Sequence, residues 1–377
     1  MIYFDAASTT PVSSLALEAY VEVAKNHYGN PSSLHGLGFD ASKIVEKTRN
    51  DLLSAFGLGS SHRLLFLSGA TEANNLALKG TAFSYQNRGK RILSTPIEHP
   101  SVKNALEELS KRFGFAVEYL PLDERGVLLP STLRSSMGND VILVSVMGVN
   151  NETGTIEPLR ELAEVVHHFP KAFFHSDVTQ MIGKLPVPYQ SLDLLSFSGH
   201  KFGAVKGVGA LCFKKTIRLV PQNNGGEQEY GLRGGTSDAA SIASMGKALI
   251  DALSCEEENL QKEQALCAYL RKGLSQIEGI ELNSPLDASP YVLNFSLTRH
   301  KASVVVEALS SSGIYVSSVS ACSSKKENVS YVLEAMGKSP RACANPIRVS
   351  MLPSASLEDI DAFLSRLSAI LQEIRPI

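Results

Sequence analysis

The run Ala172-Phe-Phe-His-Ser176 and the run Asp193-Leu-Leu-Ser-Phe197 are both followed by polar residues, and the second leads directly into Ser198-Gly-His-Lys201. Short apolar runs of this kind are typical of strands buried in a sheet. Similar runs lie at 63–67, 91–95, 116–120, 141–147 and 208–213. Helical periodicity fills several of the gaps between them, at 71–86, 100–113 and 158–168. Because strands and helices alternate, the sequence predicts an α/β domain whose seven-stranded sheet is mostly parallel.

The pattern changes toward the end of the chain. A long helical region at about 237–277 precedes strand-like runs at 291–297, 314–318 and 347–351. Helical patterns accompany these runs, at 301–311, 330–336 and 356–373. This mixture predicts a second, smaller α+β domain.

Composition is that of a folded protein without a strong attraction to charged partners. Of the 377 residues, 44% are hydrophobic and 20% are charged, and the formal net charge is −2. This balance favours neither direct nucleic-acid binding nor an anionic membrane surface. No apolar run approaches the roughly 18 residues that span a bilayer, and the first residues do not resemble a signal peptide. We therefore expect a cytoplasmic protein.

Several common site types are disfavoured by the sequence. The five cysteines are odd in number and widely spaced, which argues against a disulfide framework or a metal knuckle. No metal site is expected. The glycine-rich segment at 203–209 lacks the spacing of a dinucleotide-binding turn, and no P-loop lysine motif is present, so a dehydrogenase or an NTPase is disfavoured.

Polar clusters follow four of the predicted strands, at the ends where ligands bind in open α/β sheets. They lie at 68–75, 95–101, 175–180 and 196–202. The first opens a predicted helix whose free N–H groups can seat a phosphate, and the second contains His99. Taken singly, each cluster has an ordinary explanation as a helix cap, a loop histidine or a lysine that reaches solvent. The four clusters together are far more specific evidence for a ligand-binding site.

Lys201 comes directly after an apolar strand, where a free ammonium group is costly to bury. A Schiff base with an aldehyde removes that charge and uses the amine as a nucleophile. Asp177, at the end of another predicted strand, can hold a protonated ring nitrogen through a charge-assisted hydrogen bond. The pair indicates a site for an aldehyde cofactor.

Motifs along nearly the whole chain occur in the order of a known family. They are Tyr3-Phe-Asp-Ala-Ala-Ser-Thr-Thr10, Tyr28-Gly-Asn-Pro-Ser-Ser-Leu-His35, Ser68-Gly-Ala-Thr-Glu-Ala-Asn-Asn75, Asn150-Asn-Glu-Thr-Gly154, Ser198-Gly-His-Lys201 and Ser320-Ala-Cys322-Ser. On these motifs the chain resembles the class V aminotransferases, and within them the cysteine desulfurases of the nitrogen-fixation and housekeeping iron–sulfur systems.

The resemblance implies a fold-type-I homodimer that depends on pyridoxal 5'-phosphate. It also implies a large cofactor-binding domain at 12–255. The small domain is expected to combine 1–11 with 256–377 and to carry the catalytic cysteine.

Individual roles are also implied by the resemblance. Lys201 is expected to bind the cofactor covalently, Asp177 to hold its ring nitrogen, and His99 to stack on the ring and to move protons. Other expected cofactor ligands are Gln180 at the ring hydroxyl and, around the phosphate, Ala70, Thr71, Ser198, His200 and, from the other subunit, Thr236. The substrate carboxylate is expected to bind Asn151 and Arg348, because a guanidinium provides a bidentate clamp.

Two cysteines compete for the role of nucleophile. Cys322 lies in a small, polar segment beside Lys325 and Lys326, where neighbouring cations favour the thiolate. Cys343 also has polar neighbours, and the residues alone do not separate the two. The resemblance selects Cys322.

The implied reaction converts L-cysteine to L-alanine and leaves a persulfide on Cys322. The sulfur then passes to an acceptor protein, either an iron–sulfur scaffold or a tRNA-thiolation enzyme. A selenocysteine lyase, a true class V aminotransferase and a non-catalytic sulfur-transfer partner are alternatives. The last is suggested by the altered loops near Glu227 and Pro346. Other departures from the family pattern are Val205, Gly234 and Met351.

Overall fold

The computed structural model describes residues 1–318 and 329–376. Its strands, numbered along the chain, are β1 (Ile2–Tyr3), β2 (His62–Leu67), β3 (Arg91–Ser94), β4 (Ala116–Tyr119), β5 (Val141–Ser145), β6 (Phe173–Asp177), β7 (Leu194–Ser198), β8 (Gly209–Lys214), β9 (Ile280–Leu282), β10 (Leu293–Leu297), β11 (Ile314–Tyr315), β12 (Ser317–Ser318) and β13 (Pro346–Val349). Seven of them form one sheet in the order β2-β8-β7-β6-β5-β3-β4. β8 runs antiparallel to both neighbours, and the other pairs are parallel. The predicted α/β fold with a mostly parallel seven-stranded sheet is confirmed.

Helices cover this sheet and continue into the second part of the chain. They are α1 (Ser14–Asn26), α2 (Gly36–Ala55), α3 (Ala70–Tyr85), α4 (Pro100–Phe113), α5 (Pro130–Ser136), α6 (Leu159–His167), α7 (Ala239–Ser254), α8 (Glu256–Leu274), α9 (Ala302–Ser311), α10 (Tyr331–Ala335), α11 (Pro340–Ala344) and α12 (Leu357–Glu373). Among the residues described, no helix combines the length and the apolar character needed to cross a membrane.

The two faces of the large sheet pack against different helices. Leu194 and its cross-strand partner on the same face, Phe213, lie in an apolar cluster with Leu76 of α3. The next residue along β7, Leu195, points the other way, into the cluster that contains Leu52 of α2. Since side chains alternate along a strand, both faces are apolar and both are buried. This burial explains why the strands read as continuous apolar runs.

A second, four-stranded antiparallel sheet has the order β12-β13-β10-β9. Its core includes Phe295 of β10 and Phe363 of α12, and the N-terminal residue Phe4 belongs to the same cluster. The ring of Phe4 meets that of Phe363 edge-on, with 5.8 Å between the ring centroids. β1 pairs in parallel with β11. These contacts join the first residues to the last part of the chain, and the division at 12–255 stays a prediction.

Some element boundaries differ from those expected. The helical region at 237–277 is two helices, because Cys255 leaves the helical conformation with φ −105° and ψ 5° between α7 and α8. The run at 314–318 is split into the short strands β11 and β12. Helices α1 and α2 were not predicted. Their exposed faces also carry large apolar residues such as Leu15 and Phe39, which blurs the helical pattern.

Candidate active site

Three predicted site residues lie at the carboxyl ends of strands in the large sheet. Asp177 is the last residue of β6, Lys201 lies in a single 3-10 turn after β7, and His99 caps α4 shortly after β3. The charges of Asp177 and Lys201 both act on the imidazole of His99. The fold therefore brings the three side chains into one site.

The carboxylate of Asp177 is buried and held by two donors. Its Oδ2 accepts a hydrogen bond of 2.7 Å from Nδ2 of Asn74, and its Oδ1 accepts one of 3.0 Å from the backbone N–H of Thr179. The two donors fix the position of both carboxylate oxygens. Asn74 was not predicted as a site residue, although it stands in the motif at 68–75 and faces the sheet from α3.

The amine of Lys201 points back to the N-terminal residues. Its Nζ donates to the carbonyl oxygens of Ala7 and Ser8 over 2.6 and 2.7 Å. Burial lowers the pKa of Lys201 to about 7, with a further contribution from the nearby cations of Lys184 and Arg348. A large fraction of the amine is therefore unprotonated near neutral pH, which is the form that attacks a carbonyl.

The surroundings of His99 favour the neutral form of its imidazole ring. Burial lowers the pKa of His99, and the charge of Lys201 acts in the same direction. Its Nδ1 accepts a hydrogen bond of 3.2 Å from the backbone N–H of Ser101. Because Nδ1 is an acceptor, the ring proton belongs on Nε2.

An anion seat lies where α3 begins. The capping residue Gly69 provides no side-chain acceptor for the first N–H groups of the helix, which belong to Ala70 and Thr71 among others. Ser198 of β7 is paired with Gly209 of β8. A Cβ atom at Gly209 would lie 2.6 Å from Cα of Gly69, so only glycine lets the helix start approach the sheet this closely. The seat is thus a close junction of helix and strands with free backbone donors.

The other residues expected around a phosphate lie at different depths. Ser198 is buried. The Nδ1 of His200 lies 3.1 Å from Oγ1 of Thr9, and burial, with nearby lysines, lowers the pKa of His200 to about 4. Thr236 is exposed and lines a small cleft with Ser68 and Arg233. A residue in this position is open to a second chain.

Arg348 and Asn151, the expected substrate binders, are in contact. Nη1 of Arg348 donates to the backbone oxygen of Asn151 over 2.8 Å. Nη2 donates to Oδ1 of Asp5 and to Oγ of Ser8, over 2.9 and 2.6 Å. Nε of Arg348 and Oδ1 of Asn151 are buried without a hydrogen-bond partner among the described residues. The Nε–H of Arg348 can donate to a bound carboxylate, whereas Oδ1 of Asn151 is an acceptor and needs a donor, such as the amino group of an amino acid.

Gln180 lies beside the amine of Lys201. Its Nε2 donates to the carbonyl oxygen of Ala7 over 2.9 Å, and its Oε1 accepts from Nζ of Lys184 over 3.3 Å. Neither Lys184 nor the Ala7 carbonyl was predicted. A backbone carbonyl has no signature in a sequence, and a lone lysine is usually exposed.

The two buried cysteines, Cys343 and Cys212, are poorly suited to act as nucleophiles. Cys343 is buried, its Sγ lies 3.5 Å from the backbone oxygen of Lys338, and burial raises its pKa. Cys212 is buried in β8, and its pKa is raised as well. A raised pKa lowers the fraction of the thiol present as thiolate, which is the form that attacks. Cys322, the predicted nucleophile, lies outside the described residues.

The described residues fit an aldehyde cofactor that carries a phosphate and a ring nitrogen. Asp177 supplies a buried acid, the start of α3 supplies uncapped N–H groups, and Lys201 supplies an amine with a lowered pKa. Each donor set matches one chemical group of such a molecule.

Comparison with known proteins gives consistent results. The family described as "Aminotransferase class-V" matches residues 2–363. A protein named "NifS/IcsS protein homolog" from Lactobacillus delbrueckii subsp. bulgaricus is 40% identical, covering 100% of this chain and 99% of that protein. "Cysteine desulfurase IscS" from Dictyoglomus turgidum is 36% identical, covering 100% and 96%. A solved structure described as "NIFS-LIKE PROTEIN" has a TM-score of 0.92 and 35% identity, covering 99% of this chain and 100% of that one.

Proposed function

The chain belongs to the class V aminotransferase family, and we propose that it is a pyridoxal-phosphate-dependent cysteine desulfurase. It converts L-cysteine to L-alanine and leaves the sulfur as a persulfide on Cys322. The observation that carries the proposal is the meeting of Lys201, Asp177 and His99 at one end of the large sheet. Similarity to proteins named cysteine desulfurase supports the choice of substrate.

The cofactor is held by residues from several strands and helices. Lys201 would bind its aldehyde, Asp177 would hold its ring nitrogen, and His99 would contact its ring. The hydroxyl and phosphate ligands are Gln180, Ala70, Thr71, Ser198, His200 and, from the second subunit, Thr236. When bound, the cofactor supplies an electron sink for the carbanion of the substrate.

The protein's own groups position the substrate and move protons and sulfur. Arg348 and Asn151 bind the substrate carboxylate. Lys201, whose pKa is lowered to about 7, accepts the α-proton, because a general base works best near the ambient pH. The thiolate of Cys322 attacks the substrate sulfur and forms an S–S bond. The substrate C–S bond breaks, its electron pair stays with carbon, and a proton taken up there completes alanine.

A homodimer is part of the proposal. Large apolar residues are exposed on α1, on α2 and between them, namely Leu15, Leu17, Tyr28, Leu34, Leu37 and Phe39. Monomers rarely leave apolar residues clustered on their surface in this way. Pairing through this face with a second copy buries these residues, and the exposed Thr236 is free to reach the site of the other subunit.

The persulfide sulfur then passes to an acceptor protein, either an iron–sulfur scaffold or a tRNA-thiolation enzyme. We place the reaction in the cytoplasm, where thiols stay reduced. The described cysteines, all unpaired, agree with such a location.

The test is to incubate the purified chain with pyridoxal phosphate, a thiol reductant and L-cysteine, and to measure alanine and sulfide. Equal amounts of both, formed over many turnovers, are expected. The Lys201→Ala variant should lose the visible absorbance of the bound cofactor and all turnover, whereas Lys206→Ala, which changes an exposed lysine nearby, should keep both. A wild-type protein that binds no cofactor and forms no alanine would refute the proposal in favour of a non-catalytic partner.

The same assay separates the enzymatic alternatives. Faster turnover on selenocysteine than on cysteine identifies a selenocysteine lyase. Consumption of a keto acid without release of sulfide identifies an aminotransferase.

A further inference from the structure

A short turn after β6 places two polar side chains on the same side. The backbone N–H of Met181 and that of Ile182 both donate to the carbonyl of Val178 over 2.9 Å. Side chains four residues apart in a helical turn are neighbours. The turn accordingly brings Lys184 under Gln180, and Nζ of Lys184 lies 3.3 Å from Oε1 of Gln180.

Lys184 is a buried cation, with only 9% of its surface exposed. Its Nζ lies 5.8 Å from the centroid of the Tyr291 ring, within reach of a cation–π contact. Glu263 of α8 is fully buried, and neither of its carboxylate oxygens has a hydrogen-bond partner in the described parts of the chain. The opposite charges of Lys184 and Glu263 act on each other across this interior. Burying a lysine and a glutamate is costly, which suggests a task beyond packing.

The chemistry of an ammonium group decides how Gln180 is oriented. Lysine has three donors and no acceptor, so the atom it contacts must be the amide oxygen of Gln180. The amide NH2 group is then directed the other way, to the Ala7 carbonyl at 2.9 Å. The same carbonyl accepts from Nζ of Lys201 at 2.6 Å. A continuous path of hydrogen bonds therefore joins Lys184 to Lys201.

We propose that Lys184 is a positioning residue: it holds the amide oxygen of Gln180, so that the NH2 group of Gln180 is presented to the site beside the Lys201 amine. This role rests on the proposed function, because Gln180 is there a cofactor ligand. Without Lys184, only the bond to the Ala7 carbonyl holds the amide of Gln180 in this orientation, and the flipped amide, with its oxygen toward the site, becomes easier to reach.

The charge of Lys184 also acts directly on Lys201. The cations that face it are Lys184 and Arg348, and the anions are Asp177 and Asp5. Burial lowers the pKa of Lys184 itself to about 8, with Glu263 opposing that shift, so Lys184 is mostly charged at neutral pH. A fixed cation here disfavours a second ammonium at Lys201 and keeps that amine nucleophilic.

The main test is a double-mutant cycle on cofactor affinity, measured by titrating the full-length, cofactor-free chain with pyridoxal phosphate. Lys184→Met should weaken binding by about ten-fold, the scale of a hydrogen bond to a charged group. Lys184→Arg, which keeps the charge and the donors, should restore most of the affinity. In a Gln180→Ala background the Lys184→Met change should have little further effect, because residues that act through one another are not additive.

A second measurement needs no cofactor. Competitive acetylation across a pH range, read by mass spectrometry, reports the pKa of the Lys201 amine, with exposed Lys206 as the internal control. The pKa of Lys201 should rise in Lys184→Met and not in Lys184→Arg. If the wild-type chain binds no cofactor, the proposed function fails while this measurement still tests whether Lys184 acts on the Lys201 amine.

The idea is overturned if Lys184→Met leaves both the affinity and the acetylation profile unchanged, or if its effect is equally large without Gln180. Should Lys184→Met fail to fold, the double variant Lys184→Met/Glu263→Gln removes the carboxylate left without its cation, and it replaces the single variant in both measurements. If neither folds, Lys184 serves the core and the positioning role is rejected.

Discussion

The side-chain amide of Asn74 donates to Oδ2 of Asp177 over 2.7 Å and joins helix α3 to the end of β6. The two residues stand 103 positions apart in the chain. Through this bond the helix that opens the anion seat also orients the buried acid. The relative placement of the proposed phosphate and ring-nitrogen sites therefore depends in part on one amide.

Asn74→Ala removes a donor to the Asp177 carboxylate and should weaken pyridoxal-phosphate binding by about ten-fold. The loss should appear in a fluorescence or absorbance titration of the cofactor-free chain. Gln86→Ala, which changes an exposed amide just past the end of the same helix, should bind like the wild type. Equal affinities for all three proteins would show that Asp177 does not depend on Asn74.

Cys322→Ser should keep the bound cofactor and its absorbance but lose persulfide and sulfide formation. Cys343→Ser should retain most of the activity, because the buried Cys343 has a raised pKa and little thiolate. Persulfide trapping with an alkylating reagent, followed by mass spectrometry, reads both variants. Activity lost in Cys343→Ser and kept in Cys322→Ser would reverse the assignment.

Glu157 gives a pH-dependent prediction away from the site. It is buried, its Oε2 accepts from the backbone N–H of Leu128 over 2.9 Å, and burial raises its pKa to about 8 from an ordinary 4.5, with the charge of Glu98 adding to the effect. Between these two values the folded chain keeps a proton that the unfolded chain has lost. The stabilisation that Glu157 contributes is therefore fully present below pH 4.5 and is lost as the pH rises toward about 8.

Glu157→Gln removes this pH-dependent loss of stability, because glutamine does not ionise. The variant should match the wild type at about pH 5 and exceed it in unfolding free energy at about pH 9, where each pKa unit of the shift is worth about 1.4 kcal/mol. Urea unfolding at both pH values measures the difference. Glu161→Gln, on the exposed side of α6, is the charge-matched control. A variant less stable than the wild type at high pH would contradict the argument.

A buried ion pair anchors the segment that leads to Thr236. Nη1 and Nη2 of Arg49 contact the two carboxylate oxygens of Glu229 at 2.9 and 3.0 Å, and both side chains are about 5% exposed or less. Glu229 and Tyr230 also adopt left-handed backbone angles, with φ of 48° and 61°, which non-glycine residues rarely do. The ion pair therefore holds a strained turn in place.

Glu229→Gln should lower the free energy of unfolding by about 3 kcal/mol, because it leaves the buried guanidinium of Arg49 with only the exposed carboxylate of Glu46 as a counter-charge. Asp51→Asn breaks the exposed pair with Lys47 and should cost less than about 1 kcal/mol. Chemical denaturation of the three proteins gives the comparison. Similar small losses in both variants would mean that water reaches Arg49.

Much of the fold and part of the site follow from the sequence. The strands were predictable because burial on both faces makes them continuous apolar runs. The meeting of Asp177 and Lys201 was predictable because each follows closely on one of those runs. The break at Cys255 was not, since the helical pattern continues on both sides of it. Asn74 and Lys184 were missed for a different reason: polar residues in a helix or a turn are usually solvated, and only the tertiary fold shows that these two are buried.

The position of the first eight residues has a consequence for folding during synthesis. Its backbone bonds to Tyr315 and Ser350, near the other end of the chain, and its carbonyls at Ala7 and Ser8 accept the Lys201 amine. On the ribosome the first residues emerge long before those late partners exist, and domains generally fold in the order of emergence. We expect the nascent large domain to form early with its lysine still unrestrained, and cofactor capture to wait until translation is nearly finished.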